Sequence, residues 1–174
     1  KGLPVTDDPV GESWEVSAVP SSTSIISNGC FVNRDLVSVI QEYPEEILGH
    51  AVNEKYHGLF PLLVKFIDAQ RDLSIQVHPD NELAAKRHGC NGKTEMWYVI
   101  GAEPGAKLIS GLKEQITPDD YVRLVEQDRI TDVLAEHTVE SGDVFFLPSG
   151  RIHAIGGGCY LAEIQQTSDI THRI

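Results

Sequence analysis

Residues Leu73 to Asp80 read LSIQVHPD, and the alternation in this stretch governs how the rest of the chain is understood. As a strand, its period of two sends Leu73, Ile75 and Val77 to one face and Ser74, Gln76 and His78 to the other. The apolar face is ordinary core. A hydroxyl, an amide and an imidazole in a row fit either a sheet wetted on one side or the lining of an internal cavity. The run just upstream, LLVKFI from Leu62 to Ile67, is apolar enough to make that choice pointed.

Outward from this stretch, short β-like runs bounded by Gly and Pro dominate. They are WEVSAV (14–19), SIIS (24–27), LLVKFIDA (62–69), LSIQVH (73–78), EMWYVI (95–100), AKLIS (106–110), DVFFLP (143–148) and CYLAEIQ (159–165). Many short strands with turn signals predict a mostly β sandwich or barrel with short inserted helices. Three helical interruptions are expected. Asn33 caps a segment through Leu36, Val37, Ile40 and Ile47 that Pro44 splits. Asp80 or Asn81 opens ELAAKRH, which Gly89 ends. Thr117 followed by Pro118, Asp119 and Asp120 starts YVRLVEQDRITDVLAEH, read as two short helices, the second restarting at Thr131 or Asp132.

A chain of 174 residues that is 41% hydrophobic and 23% charged has the balance of one globular domain. The formal charge of -12, from 14 Lys+Arg against 26 Asp+Glu, argues against nucleic acid or an anionic membrane as partner. It leaves room for an anionic small molecule held by a local cluster of cations. Cys30, Cys90 and Cys159 are irregularly spaced and odd in number, which reads as free thiols in a reducing cytoplasm. No run is apolar over the length of a membrane span, and KGLPVTDDPV has no secretory pattern. Both ends read as cut from a longer chain.

Three pieces carry chemistry. The first is the Gln76 and His78 face. The second is GKTEMWYVIG, where Glu95, Trp97 and Val99 share one face of a strand and Lys93 projects toward the side of Glu95. A Glu opening a strand is more often solvated than functional. The third is GDVFFLPSGRIHAIG, in which Gly142, Pro148, Gly150 and His153 reproduce the spacing of the second cupin motif. There Pro148 and Gly150 form a tight turn that swings His153 inward. Gln76, His78, Glu95 and His153 thus supply an amide oxygen, two imidazoles and a carboxylate. That donor set, without thiolate, suits a divalent ion at a site with an open position, zinc first and manganese or iron as alternatives. His50, His57, His88 and His137 read as exposed. Gly156 to Gly158 is no phosphate loop, for neither Lys-Ser/Thr nor a helix follows it.

LSIQVHPDN, GKTEMWYVI, FFLPSGRIHAIGGG and LAEIQQTSDITHRI, in this order, closely resemble type I mannose-6-phosphate isomerase (phosphomannose isomerase) in its short bacterial form, a branch of the cupin superfamily. GESWEVSAV, SIISNG and FPLLVKFIDA resemble it too. The resemblance implies one metal-binding cupin domain of the jelly-roll type over residues 1–174, without the family's opening segment and C-terminal cupin half. It implies a cytoplasmic enzyme that interconverts mannose 6-phosphate and fructose 6-phosphate through a cis-enediol. Carried over by residue, it places the metal on Gln76, His78, Glu95 and His153, the catalytic arginine on Arg173 and acidic pocket positions on Glu163 and Asp169; the chemistry of the reaction then points to Glu163 or a metal-bound water for the proton relay, with Lys93 as an acid or electrostatic helper. Ser74, Lys93 and Asp169 then face the sugar phosphate, the only partner it implies. His172 stands where related bacterial chains often carry Tyr. Blander readings remain open: Glu163 in a buried ion pair with Arg173, Asp169 as a turn residue, Lys93 as a surface lysine. At the level of the whole chain, the rivals are a non-catalytic sugar-phosphate-binding or regulatory metal cupin and a metal-dependent dioxygenase.

Overall fold

The computed structural model describes residues 10–20 and 22–174, so the opening KGLPVTDDP lies outside the described residues. Two five-stranded antiparallel sheets face each other as a sandwich, and no closed barrel forms among the described residues. The first sheet runs β1 (Glu12–Val16), β2 (Leu62–Ala69), β9 (Cys159–Gln166), β4 (Glu95–Ala102), β7 (Val144–Leu147). The second runs β10 (His172–Arg173), β3 (Gln76–Val77), β8 (His153–Ile155), β5 (Lys107–Leu112), β6 (Leu134–Thr138).

Alternation along the long strands builds the core. In β2, Leu63, Lys65, Ile67 and Ala69 turn inward; in β4, Glu95, Trp97 and Val99; in β9, Cys159, Leu161, Glu163 and Gln165. Ile67, Trp97, Val99 and Leu161 meet Leu108 and Ile155 of the opposite sheet. Each such fully buried side chain contributes about 1.5–3 kcal/mol. That burial offsets the cost of the polar residues that share the same interior.

The helices are short. Asp35 caps α1 (Leu36–Glu42) by accepting from Ser38 N at 2.9 Å, while Asn33, the expected cap, takes a left-handed turn conformation two residues earlier. Pro44 opens α2 (Pro44–Leu48), and α3 (His50–Tyr56) follows after Gly49. Asp80 caps α4 (Asn81–His88), and Gly89 ends it. Thr117 and Asp120 form a reciprocal capping box at the start of α5 (Pro118–Glu126). Among the described residues no helix is long and apolar enough to cross a membrane.

Three expected elements are corrected. The second helix of the 117–137 segment is a single 3-10 turn, Ile130–Val133, followed by β6. Leu134 joins Leu124, Ile130 and Ile152 in a small cluster under α5, and pairing with β5 extends residues 134–138. SIIS is reduced to one bridge, Ile25 to Asp35, because its partner is the turn just ahead of α1 and not a sheet. LSIQVH pairs only at Gln76–Val77, since its neighbours β8 and β10 are three and two residues long. Leu73 is accordingly 40% exposed, and the expected alternation of burial is lost, with Ile75, Gln76 and Val77 all half-buried.

Candidate active site

Cross-strand register sets out the polar residues in rows. Directly opposed residues in antiparallel strands share a face. In the second sheet Arg173 stands opposite Gln76, Gln76 opposite His153, and His153 opposite Ser110. In the first sheet Trp14 stands opposite Lys65, Lys65 opposite Glu163, and Glu163 opposite Trp97. A cavity of about 320 Å³ lies where these rows meet. Its lining includes Ser74, Gln76, Lys93, Glu163, Asp169 and Arg173, the non-imidazole site residues expected from sequence apart from Glu95.

Three further side chains converge in the interior. His78, Glu95 and His153 each offer a ligand atom, all within 4.8 Å of one another, and all three residues are buried. Pro79 ends the strand after His78, and the Pro148–Gly150 turn carries the chain from the first sheet into the second, so that His153 enters from β8. Gly150 takes a positive φ of 83° in that turn, and its N–H donates to the carbonyl of His78, locking the two histidine segments together. Lys93 arrives by a different device. A Cβ at Gly92 would lie 2.6 Å from the carbonyl carbon of Asp80, so only glycine lets this backbone cross so closely. The crossing sets Lys93 N on the carbonyl of Pro79 and buries the Lys93 side chain, which excludes the surface-lysine reading.

The hydrogen bonds fix how the imidazoles face. His78 Nδ1 meets the Ile170 carbonyl at 3.1 Å, and His153 Nδ1 meets the Arg151 carbonyl at 2.8 Å. A carbonyl only accepts, so the proton sits on Nδ1 and each Nε2 turns a lone pair inward. The two Nε2 atoms are 3.2 Å apart; Glu95 lies 3.4 Å from that of His78 and 3.1 Å from that of His153. Glu95 Oε1 is buried without a hydrogen-bond donor. Lone pairs crowded in this way fit a cation among them. An ion with bonds of about 2.0–2.1 Å spaces tetrahedral ligands about 3.3 Å apart, close to the separation of the two Nε2 atoms and to the approach of one carboxylate oxygen to each, Oε2 to His78 and Oε1 to His153. The residues therefore fit a divalent metal. Lys93 Nζ adds positive charge alongside, 2.8 Å from Glu95 Oε2 and 3.1 Å from His78 Nε2.

Burial, then the Lys93 charge, pushes His78 down from 6.5 to about 3. Burial opposes ionisation of Glu95, yet the charged groups around it, the Lys93 ammonium among them, outweigh it and hold the carboxyl below its ordinary range. The His78 shift sets a pH dependence of stability. Between 6.5 and about 3 the unfolded chain takes up a proton that the folded chain refuses. Stability is therefore complete above that window and falls as the pH drops through it, by about 1.4 kcal/mol per unit well inside it. Denaturant titration of chelator-treated protein should give a lower midpoint near pH 5 (about two units below neutrality) than at neutrality, and His78→Gln should narrow the difference. An equal gap in the variant would assign the effect elsewhere.

Glu163 is paired, but not with Arg173. Its Oε1 is 3.4 Å from Lys65 Nζ, and its Oε2 accepts from Trp97 Nε1 at 2.9 Å. Lys65 also sits 3.9 Å from Glu12 and 4.9 Å from the centre of the Trp14 ring. Lys65, Glu12 and Trp14 were not singled out from sequence. The signal was there for Lys65: it is the one charged residue at an inward position of the apolar run LLVKFI. His50, His57, His88 and His137 are exposed as expected, and the three cysteines are free.

Residues 3–100 match the family model described as phosphomannose isomerase type I, catalytic domain. Mannose-6-phosphate isomerase of Streptococcus mutans is 38% identical over 99% of this chain and 53% of its own length. ManA of Bacillus subtilis, a mannose-6-phosphate isomerase, is 35% identical over the same shares. The chain thus spans about half the length of the curated relatives it matches. The crystal structure of the mannose 6-phosphate isomerase from Bacillus subtilis superposes with a TM-score of 0.85 at 34% identity, over 94% of this chain and 50% of that one. A zinc-bound mannose 6-phosphate isomerase shares the fold with a TM-score of 0.71 at 18% identity, over 95% of this chain and 62% of its own. With its sandwich, its buried His-Glu-His cluster and this match, the chain belongs to the type I phosphomannose isomerase family.

Proposed function

We propose that the chain acts as a metal-dependent isomerase that interconverts mannose 6-phosphate and fructose 6-phosphate through a cis-enediol. One observation carries the reading: a cavity lined by Lys93, Glu163, Asp169 and Arg173 borders the cluster of His78, Glu95 and His153. Gln76, directly across from His153, is the fourth ligand in this reading, and zinc is the favoured ion because the donors are nitrogen and oxygen without thiolate. A bound divalent ion supplies stabilisation of negative charge on the sugar oxygens.

The chain's own residues then divide the work. A proton must leave the second sugar carbon and reach the first while hydroxyl protons shift between their oxygens. Glu163, paired with Lys65 and accepting from the Trp97 N–H, is the acceptor in this scheme. Lys93, held on Glu95, donates toward oxygen. A guanidinium is no base, and the planar fork of Arg173 suits the enediolate or the phosphate. Ser74 and Asp169 line the same cavity and take sugar hydroxyls. The three free thiols support a reducing compartment such as the cytoplasm.

A coupled assay for fructose 6-phosphate formed from mannose 6-phosphate, run with and without chelator, tests this. Turnover should vanish on chelation and return with zinc. Turnover indifferent to thorough metal removal would take the ion out of the mechanism, and zinc binding without turnover would favour a sugar-phosphate binder.

A further inference from the structure

We propose that Gln165 is a positioning residue of the metal site, acting on His78 through the loop that follows β9; the inference rests on the metal reading above. Gln165 is 1% exposed, points inward from β9 and stands directly across from Glu95. Its Nε2 donates to the carbonyl of Gln166 at 3.0 Å and makes a close hydrogen bond to the carbonyl of Ser168. Both partners only accept, so turning the amide round would set oxygen against oxygen. Its Oε1 is buried with no hydrogen-bond partner among the described residues. An apolar side chain would avoid that cost, so what the position gains from an amide is its grip on the carbonyls.

The grip is transmitted. Ser168 is itself buried, and its Oγ accepts from Ile170 N at 3.4 Å. The Ile170 carbonyl in turn takes the Nδ1 proton of His78. This contact determines which nitrogen of His78 carries hydrogen and hence whether Nε2 offers a lone pair to an ion. The adjacent Gln166 ties down the other side of the site. Its Oε1 accepts from Thr94 N at 2.9 Å, and its Nε2 donates to Asn81 Oδ1 at 3.2 Å. Asn81 Oδ1 also accepts from Gly92 N at 2.9 Å. The end of β9 thus braces the segments that carry His78, Lys93 and Glu95.

The test measures zinc affinity by competition with a chelating dye, and the His78 tautomer by nitrogen-15 NMR, in wild type, Gln165→Met and Ser168→Ala. Gln165→Met should lower zinc affinity about 10–100-fold, the range seen when outer partners of metal-bound histidines are lost, and mix the His78 tautomers. Ser168→Ala, a smaller change that keeps the loop backbone, should act in the same direction by about 10-fold and covers the case in which Gln165→Met does not fold. A purely structural role would lower the melting temperature of chelator-treated protein and leave affinity and tautomer alone. Wild-type affinity with an unchanged tautomer in the folded variants overturns the proposal. Failure of the wild type itself to bind zinc overturns the metal reading, and the proposal with it.

Discussion

His153→Ala is expected to abolish stoichiometric metal binding and, with it, the proposed isomerase turnover. The imidazole supplies one of three buried ligand atoms, and its Nε2 stands 3.2 Å from that of His78 and 3.1 Å from Glu95. Losing a ligand should cost more than losing an outer partner, so affinity should fall by more than about 100-fold. The ring also packs edge-on against Trp97, and alanine leaves a hole there. Metal content after dialysis, measured beside the melting temperature of the metal-free protein, separates the two effects. A variant that retains a full equivalent of zinc would show that His153 holds no metal.

Lys65→Met is expected to destabilise the fold by about 3–5 kcal/mol, the usual consequence of leaving a buried carboxylate without its cation. The Lys65 side chain is only 10% exposed and that of Glu163 6%, so water replaces little of the lost interaction. Methionine keeps most of the volume, which confines the loss to charge and hydrogen bonding. Pairing the change with Glu163→Gln should restore much of the stability, and the double-mutant cycle reads the coupling. A single-variant loss below about 1 kcal/mol, the value of a solvated pair, would mean that Glu163 does not depend on Lys65.

What could be read from sequence follows the length and locality of each signal. LLVKFIDA has period-two alternation over eight residues between turn signals, and the strand spans those same residues. Thr117-Pro118 with Asp120 is a cap encoded within four residues, and it forms as expected. By contrast, Ile130, Val133 and Leu134 carry a helical spacing that the neighbouring strand overrides, because pairing with β5 is decided by tertiary context. The same division holds in the site. His78, Glu95 and His153 stand in recognisable local patterns. Gly92 matters only because another segment crosses it, Lys65 only because Glu163 lies opposite, and Gln165 only through a loop it braces. Such dependencies have no local period for a sequence to display.

The strand order β1-β2-β9-β4-β7 has a bearing on biosynthesis. The middle strand of the first sheet leaves the ribosome after the other four strands of that sheet. Until Cys159–Gln166 emerges, β2 and β4 cannot join, and each presents an unpaired, largely apolar edge to solvent. Closure then requires contacts between residues about a hundred positions apart, which slows folding and lengthens exposure to aggregation. Nascent chains stalled before residue 159 should accordingly recruit holdase chaperones, and release should follow translation of Cys159–Gln166.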